Sequence, residues 1–284
     1  EMAGKAGTHY VNTSCSGCHE RNGRAAPVAI GEPLHKWVFK VGDANGNPDP
    51  QIGRVLQPGN VGINDAADGE GSVSIASWTE MGGLRSPNYA FSKGTPATFS
   101  ARIAPQLVGL GLLEAIKESD ILALEDADDS KNSDGISGKA QRTLDPVSGE
   151  TRVGRFGYKA TTTSVKHQVA GALNTDMGVM TTVLPQPDCG STQTTCGNSG
   201  SELADEHLDN LVKYIALLGV RAQRGLDDEQ VQQGKAVFTA IGCDGCHTQT
   251  FETSANHPFA ELRSQTIHPY TDLLVHDMGA GLAD

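Results

Sequence analysis

Two short segments combine cysteine and histidine at a spacing that suits metal or cofactor chemistry. They are residues 15–19, CSGCH, and residues 243–247, CDGCH. This Cys-x-x-Cys-His pattern is typical of covalent c-type haem attachment, because two thiols so spaced reach the two vinyl groups of one porphyrin. The histidine that follows then places its imidazole beneath the iron as the proximal ligand. The pattern predicts two c-type haems, held by Cys15, Cys18, His19, Cys243, Cys246 and His247.

Two other interpretations of these segments stay open from the sequence. The four cysteines could form one four-thiolate zinc site, although zinc gives no role to the histidine after each pair. A thioredoxin-like redox pair is the other interpretation, although no strand and helix unit of that kind surrounds either pair. Haem attachment explains the cysteines and the histidines together, so we prefer it.

The third pair of cysteines, Cys189 and Cys196, lies in a polar stretch without a neighbouring histidine, and it predicts a loop disulfide. Because disulfides and c-type haems both belong to oxidising compartments, we expect a periplasmic or otherwise extracytoplasmic protein. The chain opens without the charged and apolar regions of a signal peptide, which indicates a mature or clipped product.

The distal iron ligand separates electron carriage from substrate chemistry, because an iron with two strong ligands carries electrons while an open iron can bind peroxide. Met177 and Met278 share an Asp-Met-Gly tripeptide and are the preferred distal ligands at the first and second haem. Packing in the core is the alternative for both methionines. The other candidates are Met81, Tyr158 and Lys159 for the first haem and His268 and His276 for the second.

Reduction of peroxide also needs a group that moves protons. Glu114 and His167 are the candidates for that role. Trp37 is a further catalytic candidate, because an indole between two haems can relay electrons, and packing against one haem is its alternative role.

An acidic run from residue 126 to residue 137 clusters oxygen ligands around a glycine, as calcium loops do. Its spacing is too irregular for an EF-hand, and a solvated acidic turn is the alternative. The predicted calcium ligands are Asp126, Asp128, Asn132 and Asp134.

Composition limits the classes of protein that this chain can be. Of the 284 residues 37% are hydrophobic, and no apolar stretch is long enough for a transmembrane segment. The length suffices for one large domain or two ordinary ones. A net charge of -12 repels a phosphate backbone, so nucleic acid is not an expected partner.

Helical patterns frame the two Cys-x-x-Cys-His segments. Residues 202–218 place Leu208 and Ile215 on one apolar face, like the closing helix of a cytochrome c domain. Residues 6–19 align without gaps on residues 234–247, which predicts a helix leading into each motif.

The predicted fold is mainly α, with two cytochrome c-like haem domains. The first covers residues 1–221 and contains a long loop-rich insertion, residues 222–229 form a linker, and residues 230–284 begin the second. Because no closing helix follows the second motif, we expect that domain to be truncated and the native polypeptide to continue past Asp284.

The chain resembles the di-haem c-type oxidoreductases of peroxidase or thiol oxidoreductase type, relatives of bacterial di-haem cytochrome c peroxidases. The resemblance lies in residues 12–20, 106–116, 133–139, 154–160, 167–178, 240–247 and 266–284. It implies two haems in separate cytochrome-like domains that face each other. It also implies that substrate meets the His19 haem, while the His247 haem transfers electrons.

The sequence therefore predicts an extracytoplasmic di-haem oxidoreductase of peroxidase type. Its expected partners are a redox protein that donates or accepts electrons and a small-molecule substrate such as peroxide. Two alternatives stay open: a pure electron-transfer cytochrome whose irons are both fully ligated, and a haem subunit of a larger respiratory assembly.

Overall fold

A computed structural model of the chain describes residues 6–26, 28–60 and 69–279. Helix accounts for 23% of the structure and strand for 21%, so the predicted mainly α class is wrong. The difference arises in the glycine-rich insertion after His19, whose turn signals predict loops. Much of this insertion pairs as antiparallel strands instead, and in the strand over residues 37–42 buried side chains alternate with partly buried ones over the first five positions.

The described residues contain six α-helices and three short 3-10 turns. The helices are α1 Cys15–Cys18, α2 Leu110–Glu114, α3 Glu118–Leu124, α4 Val165–Met177, α5 Asp205–Ala216 and α6 Glu229–Ala240. The 3-10 turns are Glu20–Asn22, Cys243–Gly245 and Ala260–Leu262. No helix in this part of the chain is long and apolar enough to cross a membrane.

The strands form six antiparallel pairs of two strands each within the described ranges. They are β1 His9–Tyr10, β2 Trp37–Gly42, β3 Gly59–Asn60, β4 Val73–Met81, β5 Leu84–Phe91, β6 Thr98–Ile103, β7 Gly138–Lys139, β8 Arg142–Leu144, β9 Thr151–Val153, β10 Phe251–Glu252, β11 Thr266–Ile267 and β12 Val275–His276. β1 pairs with β3, β2 with β6, β4 with β5, β7 with β12, β8 with β9 and β10 with β11.

The chain divides into two compact units. The first contains the described residues up to 107 together with residues 169–209, and the second contains residues 108–168 together with those from 210 onward. Each unit holds one Cys-x-x-Cys-His segment. Two boundaries between the units fall inside α4 and α5, so the compact units differ from the domains predicted at residues 1–221 and 230–284. Those domains stay a prediction.

Each unit has its own hydrophobic core. In the first unit, alternate residues of β2 pack inward against the start of β4. The buried members of this cluster are Leu34, Trp37, Phe39, Val41, Leu56, Val73 and Ile75. In the second unit, side chains around α3 meet β10 and β11. The buried members here are Ile116, Ile121, Ala140, Val153, Phe251, Ile267 and Leu273.

The closing helix and the helices predicted before the two motifs have different outcomes. A helix over residues 202–218 is confirmed as α5, which buries Leu208 and Ile215. The helix predicted before the second motif is confirmed as α6, and the side chain of Asp228 caps its first turn. The helix predicted before the first motif is wrong: β1 lies there and pairs with β3, a partner far along the chain.

Candidate functional site

The first Cys-x-x-Cys-His segment is a single helical turn, α1. Ser14 caps this turn, because its side-chain oxygen accepts the N–H of Gly17 at 3.2 Å. Cys15 and Cys18 are free thiols at the two ends of the turn, and Cys18 packs against Ala25 and Ala104. The cap therefore presents both thiols at a fixed spacing.

The second segment forms a 3-10 turn directly after α6. Gly242 begins the turn with a φ of 79°, a left-handed conformation that glycine adopts without steric cost. Cys243 and Cys246 are free thiols as well. Phe238, on α6, lies 6.0 Å from the His247 ring between centroids, so the helix packs on this imidazole.

The two histidines share one hydrogen-bonding arrangement. His19 Nδ1 lies 2.6 Å from the backbone oxygen of Pro105, and His247 Nδ1 lies 2.9 Å from that of Tyr270. Because a carbonyl oxygen only accepts, each Nδ1 carries the proton and donates it. Each Nε2 then carries the lone pair that binds a metal, which is how iron-ligating imidazoles are oriented in proteins. Both segments thus fit a haem with a proximal histidine.

The environment of the first thiols also bears on the thioredoxin-like interpretation. Burial, followed by the nearby charge of Asp176, raises the pKa of Cys18 to about 11. Burial also raises the pKa of Cys15. A redox-active cysteine needs a lowered pKa instead, so this environment does not favour a thioredoxin-like pair.

Met177 lies beside the first motif. Its sulphur is 4.0 Å from the Cys15 sulphur, and the residue is 6% exposed. It ends α4, and Gly178 follows with a φ of 64°, where a Cβ would meet the backbone oxygen of His9 at 2.0 Å. The N–H of Gly7 donates to the Met177 carbonyl at 2.8 Å. The structure therefore brings Met177 to the first motif, and iron ligation by its sulphur stays a prediction.

Residues far along the chain hold the end of α4 in place. Gln57 donates its side-chain amide to the backbone oxygen of Thr175 at 2.6 Å. Arg54 donates to the side-chain oxygen of Asn174 at 3.4 Å and to Asp188 at 2.9 Å. Sequence reasoning missed these supporting residues, because no motif or periodicity links residues 54–57 to residues 174–188.

The candidate distal ligands of the second haem have different surroundings. Met278 is 68% exposed. His276 Nδ1 lies 2.9 Å from the Ser137 carbonyl and 3.8 Å from the Cys246 sulphur, while its Nε2 lies 2.8 Å from Asp272. His268 Nδ1 lies 3.1 Å from the hydroxyl of Thr250. Of the three candidates, His276 is the one whose side chain contacts a motif cysteine among the described residues.

The remaining ligand candidates for the first haem are exposed or belong to the second unit. Met81 lies at the tip of the β4–β5 hairpin and is 63% exposed. Tyr158 is 56% exposed and, like Lys159, belongs to the second unit. Their role as ligands stays a prediction.

Glu114 sits in a cavity of about 200 Å³ in the second unit. One carboxylate oxygen accepts the N–H of Val165 at 2.7 Å, at the start of α4, and the other lies 3.4 Å from Nε2 of His257. His257 is 7% exposed and was missed by sequence reasoning, because nothing in its local sequence distinguishes it. The pair forms a carboxylate and imidazole that can share a proton inside a cavity.

The other two catalytic candidates are His167 and Trp37. His167 Nδ1 lies 3.2 Å from the hydroxyl of Thr163, and burial lowers the pKa of the imidazole. Trp37 is 9% exposed in the core of the first unit, and its indole Nε1 has no hydrogen-bond partner among the described residues. Their catalytic roles stay predictions.

The acidic run predicted as a calcium site forms a turn whose carboxylates bind their own backbone. Asp126 accepts the N–H of Ser130 at 2.9 Å, and Asp134 accepts the N–H of Ile136 at 2.9 Å. Across residues 6–26, 28–60 and 69–279, no group of three or more His, Cys, Asp or Glu side chains could hold a metal ion. Neither a four-thiolate zinc site nor a calcium site is therefore found there. Calcium at Asp126, Asp128, Asn132 and Asp134 stays a prediction.

The predicted disulfide is present. Cys189 and Cys196 are bonded, with their Cα atoms 5.6 Å apart. Thr192 inside this loop donates its backbone N–H to the carbonyl of Pro50 at 2.8 Å, so the bridge fixes the loop against the rest of the first unit.

Comparison with known proteins adds a family. The family model described as "Di-haem oxidoreductase, putative peroxidase" matches residues 94–284. This range is more than half of the chain, and it includes the second motif but not the first. No curated protein and no solved structure matches the chain. On the family match, the chain belongs to the di-haem oxidoreductase family.

Proposed function

We propose that this protein is an extracytoplasmic di-haem c-type oxidoreductase of peroxidase type. One observation carries the proposal: two separate Cys-x-x-Cys-His turns each present free thiols and a histidine whose Nδ1 donates to a backbone carbonyl. Family membership supports haem and oxidoreductase chemistry. The disulfide supports an oxidising compartment.

The residues of each motif would hold one haem. The thiols of Cys15 and Cys18 would form thioether bonds to the first porphyrin, and those of Cys243 and Cys246 to the second. The Nε2 atoms of the two histidines would bind the irons. When bound, haem supplies electron transfer and, at an open coordination position, binding of peroxide.

The resemblance to di-haem peroxidases favours the first haem as the substrate site and the second as the electron-transfer site. A redox protein would exchange electrons with the chain. Glu114 and His257 lie 3.4 Å apart in a cavity of the second unit, the unit that also contains the second motif, and they would hold or move a proton there.

A pure electron-transfer cytochrome is the second candidate function. The observation that favours it is the burial of Met177 beside Cys15, because a methionine sulphur on the first iron would close the position that peroxide needs.

The first experiment tests haem attachment with three matched pairs of cysteines. The full chain is expressed with cytochrome c maturation machinery, and its mass and pyridine haemochrome spectrum are measured. We expect two haems in the wild type, and one each in the Cys15→Ala/Cys18→Ala and Cys243→Ala/Cys246→Ala variants. The control variant, with Ala in place of both disulfide cysteines, should keep two haems. A colourless wild type, or a motif variant that still carries two haems, contradicts the proposal.

The second experiment separates the enzyme from the carrier. Electron paramagnetic resonance spectra of the two-haem protein are recorded in the resting state and after partial reduction, with and without cyanide. A high-spin or cyanide-binding haem supports the peroxidase. Two low-spin haems that bind neither cyanide nor peroxide in any redox state would refute it and leave the carrier.

A further inference from the structure

Residues 270–276 lie along the second Cys-x-x-Cys-His motif, and hydrogen bonds join them to it. The His247 imidazole donates from Nδ1 to the carbonyl of Tyr270, the first residue of this segment, at 2.9 Å. The N–H groups of the two residues that follow donate to the carbonyls of Thr248 and Cys246, at 3.1 and 3.2 Å. The position of this segment therefore decides where the acceptor for His247 lies.

His276, at the end of the same segment, has both ring nitrogens engaged. Nδ1 lies 2.9 Å from the backbone oxygen of Ser137, and it donates, because a carbonyl oxygen only accepts. Nε2 lies 2.8 Å from a carboxylate oxygen of Asp272, so a proton is held between these two atoms. The side chains of His276 and Asp272 are only 16% and 7% exposed. Neither nitrogen of His276 keeps a free lone pair for an iron.

Asp272 fixes the middle of the segment. Its backbone N–H is the one that donates to the Cys246 carbonyl at 3.2 Å. One of its carboxylate oxygens accepts the N–H of Leu274 at 2.9 Å, and the other faces His276. Asp272 thus connects the backbone of the motif to the imidazole within a single residue.

The Ser137 carbonyl belongs to a backbone that is itself held on two sides. The next residue, Gly138, pairs with His276 between β7 and β12. Gly138 also exchanges two backbone hydrogen bonds with Asp126, at 2.9 and 3.0 Å. A Cβ at Gly138 would lie 3.0 Å from Cε1 of His276, so the glycine lets the imidazole approach this backbone closely. His276 therefore joins Asp272 to a fixed anchor outside the segment.

We propose that His276 is a positioning residue for the second haem and not an iron ligand. By bridging Asp272 and the start of β7, it holds residues 270–276 along the motif, so that the Tyr270 carbonyl stays in place as the acceptor for His247. The inference rests on the haem attachment proposed above.

This role predicts the sign of a redox effect. A hydrogen bond donated by a ligating imidazole makes it a more basic ligand, which favours the oxidised iron. Loosening the Tyr270 carbonyl should therefore raise the midpoint potential of the second haem. Removing an imidazole that acted only as a nearby positive charge would lower that potential instead, because a cation favours the reduced iron. The direction of the shift thus distinguishes the two roles of His276.

The test is an equilibrium redox titration of the full chain carrying two haems. Haem content is measured by mass first, because two haems uphold the proposed attachment whatever the titration then shows. The potential of the second haem is assigned with the Cys15→Ala/Cys18→Ala variant, which carries that haem alone.

His276→Gln and His276→Asn are compared with the wild type, because each breaks one half of the bridge. The glutamine amide keeps the hydrogen bond to Asp272, and the asparagine amide keeps the one to Ser137. Both variants should raise the midpoint potential of the second haem. The potential of the first haem, and the spin state of the second in electron paramagnetic resonance, should stay as in the wild type.

His207→Gln is the matched control. It removes an exposed histidine on α5, outside the segment, and should leave both potentials at their wild-type values. An unchanged or lowered potential of the second haem in either His276 variant would overturn the proposal. So would a changed spin state, which would make His276 a ligand, or an equal upward shift in the control.

A measurement on the wild type covers the case in which a variant fails to fold. The reduced two-haem protein, made with isotope-labelled histidine, is studied by nuclear magnetic resonance. Neither ring nitrogen of His276 should have the chemical shift of an iron-bound imidazole, and the Nδ1 proton should exchange slowly with solvent, because Ser137 accepts it. An iron-bound nitrogen, or fast exchange at Nδ1, would overturn the proposal.

Discussion

Asp188 and Glu80 form the same kind of ion pair in different surroundings, and comparing them tests how burial controls the stability of this protein. Asp188 accepts from Nε of Arg54 at 2.9 Å, and its side chain is 3% exposed. Glu80 accepts from Nε of Arg85 at 3.1 Å, and its side chain is 66% exposed. The substitutions Asp188→Asn and Glu80→Gln each remove one charge and keep the side-chain shape.

The structure predicts very different costs for the two substitutions. Asp188 also accepts the backbone N–H groups of Arg54 and Val55 at 3.1 and 3.0 Å, and an asparagine offers only one oxygen to these donors. Breaking a buried ion pair costs about 3–5 kcal/mol. The Arg54 side chain is 53% exposed and stays solvated, so we expect about 2–3 kcal/mol for Asp188→Asn. Glu80→Gln should cost about 0–1 kcal/mol.

The assay is urea and thermal unfolding of the haem-loaded chain followed by circular dichroism. At about 2–4 °C per kcal/mol, Asp188→Asn should lower Tm by about 4–12 °C. Glu80→Gln should lower it by about 4 °C or less. Equal losses in the two variants would refute the argument that burial of the carboxylate, and not the ion pair itself, decides the stability.

Three other predictions concern ligation, protonation and the disulfide. If the Met177 sulphur binds the first iron, as the electron-carrier alternative requires, a low-spin first haem in the wild type should become high-spin and cyanide-binding in Met177→Ala by electron paramagnetic resonance; an unchanged first haem would exclude this ligand. Met278→Ala tests the second haem in the same way. Burial raises the pKa of the Glu70 carboxyl from 4.5 to about 8. The folded state therefore binds the carboxyl proton more tightly than the unfolded state does, and the free energy of unfolding should fall as the pH rises between these two values. Unfolding experiments at the two ends of this pH range should show no such fall in Glu70→Gln. A variant whose free energy of unfolding depends on pH as the wild type's does would assign the pH dependence to other groups. Replacing Cys189 and Cys196 with serine should lower the free energy of unfolding by about 2–3 kcal/mol in urea titrations, given the loop of sequence separation 7, and wild-type stability would show that the loop needs no bridge.

Local patterns in the sequence predicted the parts of the site that depend on neighbouring residues. The Cys-x-x-Cys-His turns, the disulfide, α5 and α6 each need only a few adjacent positions to specify them. The family found by comparison is the one that the sequence resembles. Met177 was also predicted beside the first motif, from a tripeptide that recurs at Met278.

Features that depend on distant partners could not be predicted in this way. Residues 6–19 align with a helical segment, yet β1 forms there because His9–Tyr10 finds Gly59–Asn60 as its antiparallel partner. Pairing of this kind overrides local propensity. The mainly α prediction failed for the same reason, because β2 and β6 are joined across the insertion. Likewise, His257 becomes a partner of Glu114 only when residues 143 positions apart meet in the folded second unit.

The two carbonyls that accept hydrogen bonds from His19 and His247 belong to residues with different backbone conformations. Pro105, whose carbonyl oxygen accepts from His19, has its φ fixed by the ring. Tyr270 instead adopts a φ of 53°, a sparsely populated conformation for a side-chain-bearing residue, and it persists only while its surroundings enforce it. Because this hydrogen bond increases the electron density of a ligating imidazole, any movement of the Tyr270 segment would alter the electron affinity of the second iron without touching a ligand. Under the proposed haem attachment, the hydrogen bond of the second imidazole thus depends on a strained residue, whereas that of the first does not, because a proline cannot adopt a positive φ.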